Sequence, residues 1–379
     1  MDNIKNIGAE QISESTPLAS PKKISVRQVM ILFFFASVSG ITRVVTAESG
    51  KFIGRASWLA PVIALLPVLL LIYVLNKIIK RHKEKSLCEI IELAFGKIFG
   101  KIILFIFLSH TLFLAAVFLR NFGEKFISSI FPNVAPSFFS IILLLFAIVA
   151  ARRNIEAFAR FAEIAFMFTL VGFALMFLLA VFHVDITNLY PVTHYDMLPV
   201  ARASFPLASL WSLITFSLFL GGVTKYKTTH STNDKTMQTM TKYMLIIAIF
   251  NLLASFLVIG VFNADTAADM SMPYFMIFKS IRTAGILQSF ETFFIILWAF
   301  TDFIMLGYYL FIISRIFKTL ATAEKPKLYM FTLGFILLIL SWLIGANNFE
   351  VDYFYSNILN WGSLILGFAF PFILLAVAS

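Results

Sequence analysis

Long apolar runs alternate with short polar segments along almost the whole chain. A hydrocarbon core about 30 Å thick takes roughly 20 apolar residues in helical form. Ten stretches approach that length, near residues 25–47, 56–79, 98–121, 137–151, 155–182, 203–224, 240–262, 288–315, 328–346 and 357–378. The fourth is short, and the segment 273–287 between the seventh and eighth is ambiguous. Neither suggests strands: the runs are too long for barrel strands and lack the in/out alternation of a barrel wall. The pattern predicts an all-α integral membrane protein with ten transmembrane helices.

Composition agrees. Of 379 residues, 60% are hydrophobic and 13% charged, and 45 are phenylalanine. Soluble domains carry about 45–50% apolar and about 25% charged residues. A secreted enzyme, a cytosolic α/β enzyme and a disordered scaffold are thereby excluded. The single cysteine, Cys88, rules out a disulfide framework and a cysteine-based metal cage. The net charge of +10 fits basic loops on one side of a bilayer. With the N-terminus inside, 22 of the 30 Lys and Arg residues fall on the cytoplasmic side, whereas the acidic residues divide evenly. That bias, preserved from span to span, predicts both termini in the cytoplasm. Residues 1–23 are polar and read as a disordered tail without the apolar core of a signal peptide.

Ten spans divide into two halves, 24–182 and 203–379, joined by an outer connection, 183–202. An odd number of spans per half places the halves in opposite orientations, as in transporters built from inverted repeats. In such transporters discontinuous helices near mid-membrane form the solute site. Span one carries Ser37-Val38-Ser39-Gly40, and span six carries Thr215-Phe216-Ser217 followed by Gly221-Gly222. Small residues also let helices pack closely, but their matching positions in both halves favour broken first and sixth helices.

Several segments carry a family resemblance. Ile24-Ser25-Val26-Arg27-Gln28 opens span one and Ser57-Trp58-Leu59-Ala60 opens span two. Arg153-Asn154-Ile155-Glu156-Ala157-Phe158-Ala159-Arg160 opens span five, and Phe290-Glu291-Thr292-Phe293-Phe294-Ile295-Ile296-Leu297-Trp298 lies in span eight. In this order and spacing, over residues 24–378, the chain resembles the permease-like B subunit of bacterial spore germinant receptors. That family belongs to the amino acid–polyamine–organocation superfamily and has the LeuT-type 5+5 fold. The resemblance implies a nutrient sensor in the spore inner membrane that binds a small germinant, an amino acid or a related compound. It also implies partners, a membrane-embedded A subunit and a lipoprotein C subunit, with which binding leads to ion release and germination. Ser217 stands where the family often carries a Glu.

In this fold the pocket is built from spans one, three, six and eight. Ser37, Ser39, Gly40 and Thr42 offer hydroxyls and amides to a carboxylate. On span eight, Trp298, Thr301, Asp302 and Met305 share one helix face at i, i+3, i+4 and i+7. Asp302 weighs most, because an acid near mid-span costs several kcal/mol unless paired or wetted. It suits an ammonium group, a proton or a structural partner. Span three offers His110 and Phe113, and span six Thr215, Phe216 and Ser217, each of which also fits ordinary core packing. Glu163 is three residues from Arg160, a spacing that allows an intrahelical ion pair or inner gate. Glu291, near the outer end of span eight, is a gate or subunit-contact candidate facing Arg282, Arg202 or Arg43.

No phosphate-binding loop, zinc-protease or dinucleotide motif is present in the sequence. His82, His183, His194 and His230 lie apart in sequence, so no metal, cofactor or catalytic residue is expected. The basic run Lys77–Lys85 meets anionic lipid headgroups, which leaves no need for nucleic acid. Two other readings stay open: a proton-coupled amino acid permease using Asp302, Glu163 or His110, and a structural membrane subunit with a vestigial pocket.

Overall fold

The computed structural model describes residues 23–47, 54–83, 85–129, 133–226, 234–270, 273, 276–277, 288–323, 325–345 and 348–377. Within these ranges it leaves out the side chains at 41–47, 128–129, 288–292, 326–327 and 348–349. The helices that organise it are α1 (Val26–Ala47), α2 (Ala60–Arg81), α3 (Leu87–Ser129), α4 (Pro136–Arg152) and α5 (Ile155–Ala180). They continue as α6 (Met197–Ser212), α7 (Lys235–Phe262), α8 (Gln288–Leu320), α9 (Met330–Leu343) and α10 (Glu350–Val377). Among the described residues seven helices are long and apolar enough to cross a membrane, and three further apolar helices, in α1, α4 and α9, are shorter.

Local chemistry sets several boundaries. Ser86 and Glu89 form a capping box at the start of α3: the Ser86 amide donates to Glu89 Oε2 at 2.6 Å, and the Glu89 amide to Ser86 Oγ at 3.4 Å. Asp234 caps α7, accepting from the Thr236 and Met237 amides at 2.9 and 3.4 Å. α3 is 43 residues long and bends at Gly96, whose φ of 75° and ψ of 173° are open only to glycine at low cost. The sequence pattern starts the third span at 98, just past this bend.

Helix α1 packs on α5, α6, α7 and α8, while α3 packs on α4, α8 and α9. A two-residue parallel pairing, Ile24–Ser25 with Thr224–Lys225, ties the start of α1 to the end of α6. Phe33, Phe34, Phe35, Trp211, Phe216, Phe219, Tyr308 and Tyr309 are fully buried in the centre. Large apolar side chains such as Phe146, Ile164, Phe168 and Leu343 are exposed on the outside. A protein apolar both inside and out is suited to lipid as its solvent.

The winding of the helices corrects one expectation. α1 is helical without interruption through Ser37–Gly40. Ser and Gly cost a helix only about 0.5–1 kcal/mol each, less than exposing unsatisfied backbone groups in hydrocarbon. α6 is irregular where the sequence places its break, but it tightens rather than unwinds. From Leu213 to Val223 it continues as a 3₁₀-helix. Opposite it, α10 widens into π-helical turns at Tyr355–Leu359 and Leu364–Ala369.

Tightening and widening are matched by hydrogen bonds. Ser209 Oγ donates to the Asn360 carbonyl at 2.7 Å, Ser212 Oγ to the Ser363 carbonyl at 2.9 Å, and Thr215 Oγ1 to the Gly367 carbonyl at 2.6 Å. A spacing of three residues keeps these hydroxyls on one stripe as the helix approaches three residues per turn.

Candidate functional site

The buried polar centre of the molecule is Asp302 on α8. Its Oδ2 lies 3.0 Å from Lys125 Nζ on α3, and its Oδ1 lies 3.2 Å from the same nitrogen. Ser39 on α1 donates its hydroxyl to Asp302 Oδ1. The Lys125 ammonium also stands over the Trp298 ring, 5.4 Å from its centroid, a cation–π arrangement. Side-chain exposure is 12% for Lys125 and 2% for Asp302. Three helices thus converge on one ion pair in the low-dielectric interior.

Lys125 is the residue that sequence reasoning missed. By charge distribution alone it is one of the few basic residues on the outer side. A local signal existed: Arg120 pairs at i,i+4 with Glu124, Nε to Oε1 at 2.8 Å. The nearest acid along α3 is thereby engaged, and Lys125 meets the mid-span acid that called for a partner.

On the helices that carry or pack against this pair, several polar atoms are buried without a hydrogen-bond partner among the described residues. They are Ser37 Oγ, Trp298 Nε1, Thr169 Oγ1 and both the nitrogen and oxygen of the Asn251 amide. Aromatic contacts place their helices along one seam. Phe34 meets Phe166 and Phe250 at 4.9 and 5.9 Å, and Phe173 meets Phe250 and Trp298 at 4.7 and 5.9 Å. Buried polar groups left unpaired cost about 1–3 kcal/mol each, so this seam of α1, α5, α7 and α8 suits water or a polar solute. Thr169 and Asn251 gave no signal in sequence, since isolated Thr and Asn in apolar spans are common.

Of the expected site residues, Ser39, Trp298 and Asp302 come together. Gly40 instead marks a close approach: a Cβ there would stand 2.7 Å from Leu210 Cδ1 and 3.4 Å from the Phe118 ring. The notch beside α1 is filled by α6 side chains rather than open as a chamber. Thr301 is buried, with its hydroxyl turned back on the Leu297 carbonyl at 3.0 Å, and Met305 sits in the core.

A second group is engaged elsewhere, with α10, α3 and α8. His110 Nε2 is 3.0 Å from Ser363 Oγ, Phe113 packs on Phe354 at 5.5 Å, and Phe216 packs on Phe107 at 5.2 Å. Thr215 belongs to the hydroxyl ladder on α10, and Ser217 Oγ is 2.8 Å from the Tyr308 hydroxyl. The side chains of Thr42 and Glu291, with Arg43 and Arg282, lie outside the described residues.

The Arg160–Glu163 pairing is also corrected. Arg160 pairs with Glu156, one full turn back. Glu163 reaches across to α1, where it meets Arg27 and accepts from Gln28 Nε2 at 3.0 Å. The i,i+4 spacing of Glu156 and Arg160 brings the side chains together better than i,i+3, with the acid on the favourable N-terminal side. Glu163 is left to fasten α5 to the start of α1.

In overall shape the chain is similar to two solved transporters. MhsT in complex with L-phenylalanine matches with a TM-score of 0.64 and 16% identity, over 92% of this chain and 89% of MhsT. A substrate-bound, outward-open Na+-coupled sialic acid symporter matches with a TM-score of 0.61 and 14% identity, over 91% of this chain and 79% of the symporter. These likenesses are of fold and agree with the LeuT type. In sequence, spore germination protein KB of Bacillus subtilis (strain 168) is 24% identical over 330 residues, 86% of each chain. The family described as spore germination protein matches residues 23–349. The chain belongs to the spore permease family of spore germination proteins.

Proposed function

We propose that the chain is the solute-sensing, permease-like subunit of a spore germinant receptor, and that its ligand is a small zwitterion such as an amino acid. The observation that carries this reading is the Lys125–Asp302 pair, held by Ser39 and covered by Trp298. Breaking a buried ion pair by removing one partner costs about 3–5 kcal/mol, because a charge is left uncompensated. A zwitterion avoids that cost by inserting between the two. Its ammonium takes Asp302, its carboxylate takes Lys125, and each buried charge keeps a partner. The insertion parts α3 from α8 and from α1, so ligand affinity differs between the two arrangements. Only such a difference lets a ligand shift a conformational equilibrium.

In this reading the halves 24–182 and 203–379 are inverted repeats across ten spans, with both termini on the core side of the spore inner membrane. The Glu163 contact with Arg27 and Gln28 holds the inner end of α1 closed. The altered arrangement passes to the A subunit and the C lipoprotein. Spores carrying Asp302→Asn or Lys125→Met are expected to need at least about tenfold more nutrient for half-maximal germination, matching a loss of 1.4 kcal/mol or more. An unchanged response at every nutrient concentration would refute the site.

A second reading, a proton-coupled amino acid permease, is favoured by the likeness in shape to solute-bound transporters. Sustained amino acid uptake into proteoliposomes, driven by a pH gradient, would establish it over the sensor. Binding without uptake supports the sensor.

A further inference from the structure

A second site lies on the membrane-facing side, and neither Lys125 nor Asp302 lines it. A cavity of about 670 Å³ opens between α3, α4, α5 and α8. Phe146, Phe161 and Phe300 are its exposed rims, the small side chains of Ala150 and Ala299 leave room between them, and the buried Phe122 lines it too. Along this apolar slot the single charged group is Arg153, directly after the end of α4. The Arg153 side chain is exposed, and among the described residues no carboxylate pairs with it. The neighbouring arginines are engaged: Arg152 stacks on Phe331 at 4.9 Å and Arg160 pairs with Glu156.

Dimensions identify the occupant. Eleven residues separate Ile142 from Arg153 on α4, about 17 Å at 1.5 Å per residue. That is close to half of a hydrocarbon core about 30 Å thick. With Phe126, which also lines the slot and stacks on Phe139 near the start of α4, the slot runs from a membrane surface past the midplane, deep enough for one leaflet's acyl chain. A flexible hydrocarbon tail matches the phenylalanine- and alkyl-lined slot, and the cation at its surface end complements a phosphate. We propose that this slot is a specific binding site for an anionic phospholipid of the leaflet on the Arg153 side, with a tail between the phenylalanine rims and its headgroup phosphate on Arg153.

The test is native mass spectrometry of the detergent-purified full-length protein, titrated with phosphatidylglycerol and phosphatidylcholine carrying the same acyl chains. Wild type is expected to retain phosphatidylglycerol about fivefold better, the ratio that roughly 1 kcal/mol per basic residue near the surface gives. Arg153→Gln, a change on an exposed side chain, should bring the two lipids to equal retention. Ala299→Phe, which fills that room, should lose both. Equal retention of the two lipids by wild type, or undiminished phosphatidylglycerol in both variants, overturns the proposal. So does a changed oligomeric state in Ala299→Phe with lipid retention intact, which would assign the slot to a protein helix.

Discussion

Asp302 and Lys125 show what a single residue can and cannot disclose in sequence. The acid announces itself by the cost of its position, whereas the lysine sits near a span end where basic residues are ordinary. Their coupling is measurable by a double-mutant cycle in thermal unfolding. Asp302→Asn and Lys125→Met are each expected to destabilise by about 3–5 kcal/mol, because each leaves one buried charge unpaired, and the double variant by less than their sum, because it leaves none. Additive losses would show that the two do not interact. Glu163→Gln should cost less than about 1 kcal/mol, since the Arg27 side chain is 62% exposed and solvent screens the pair. A loss of several kcal/mol would contradict that. Arg160→Gln should leave the Glu163 contact untouched, because Arg160 belongs to Glu156. Within α5 the sequence spacing suggests Glu163 as the partner of Arg160, whereas Glu156, four residues back, takes it. The one for Glu163 lay 136 residues away, beyond the reach of periodicity.

At the scale of elements, span positions were legible because lipid imposes their length. α4, α5 and α7 fall within a few residues of the hydrophobic runs. Helix winding was less so. The same small residues that suggest unwinding in α1 are accommodated in a regular helix, while in α6 they accompany a 3₁₀ stretch. What distinguishes the two is the partner. α6 faces π-turns of α10 whose carbonyls accept from Ser209, Ser212 and Thr215, and that pairing is not visible one helix at a time. Thr215→Val keeps the shape and removes one bond. It should cost about 0.6 kcal/mol, and at most about 1.7, as for hydrogen bonds between helices in membranes. A neutral result for all three substitutions combined would dismiss the ladder as a source of stability.

The cap of α7 gives a pH-dependent prediction. Burial would raise the Asp234 pKa, but Lys80 at 2.9 Å, Asn76 at 3.1 Å and the Thr236 and Met237 amides outweigh it, leaving the carboxyl below its ordinary value. A folded-state pKa below the unfolded one adds stability that is fully present above the unfolded value, near 4, and is lost as pH falls through the folded value. Asp234→Asn keeps the cap oxygen and should lose less stability than wild type between pH 6 and pH 3. Parallel curves would contradict the assignment.

The whole molecule is a LeuT-type bundle with an aromatic core and a largely apolar exterior, and within it one buried ion pair joins α1, α3 and α8. The fold class and the germination family were legible in the long apolar runs and in the order of short segments along them. The proposed ligand seat was legible only in part, because the ion pair forms where three helices distant in sequence converge. The most direct test of that seat is thermal unfolding of the purified chain with each of the twenty amino acids in turn, for wild type and for Asp302→Asn. A ligand at a hundred times its Kd raises stability by about 2.7 kcal/mol. The account predicts that one amino acid, or a few of similar shape, stabilise wild type to that extent and leave Asp302→Asn unmoved. Equal stabilisation of both proteins would place the ligand elsewhere and contradict it.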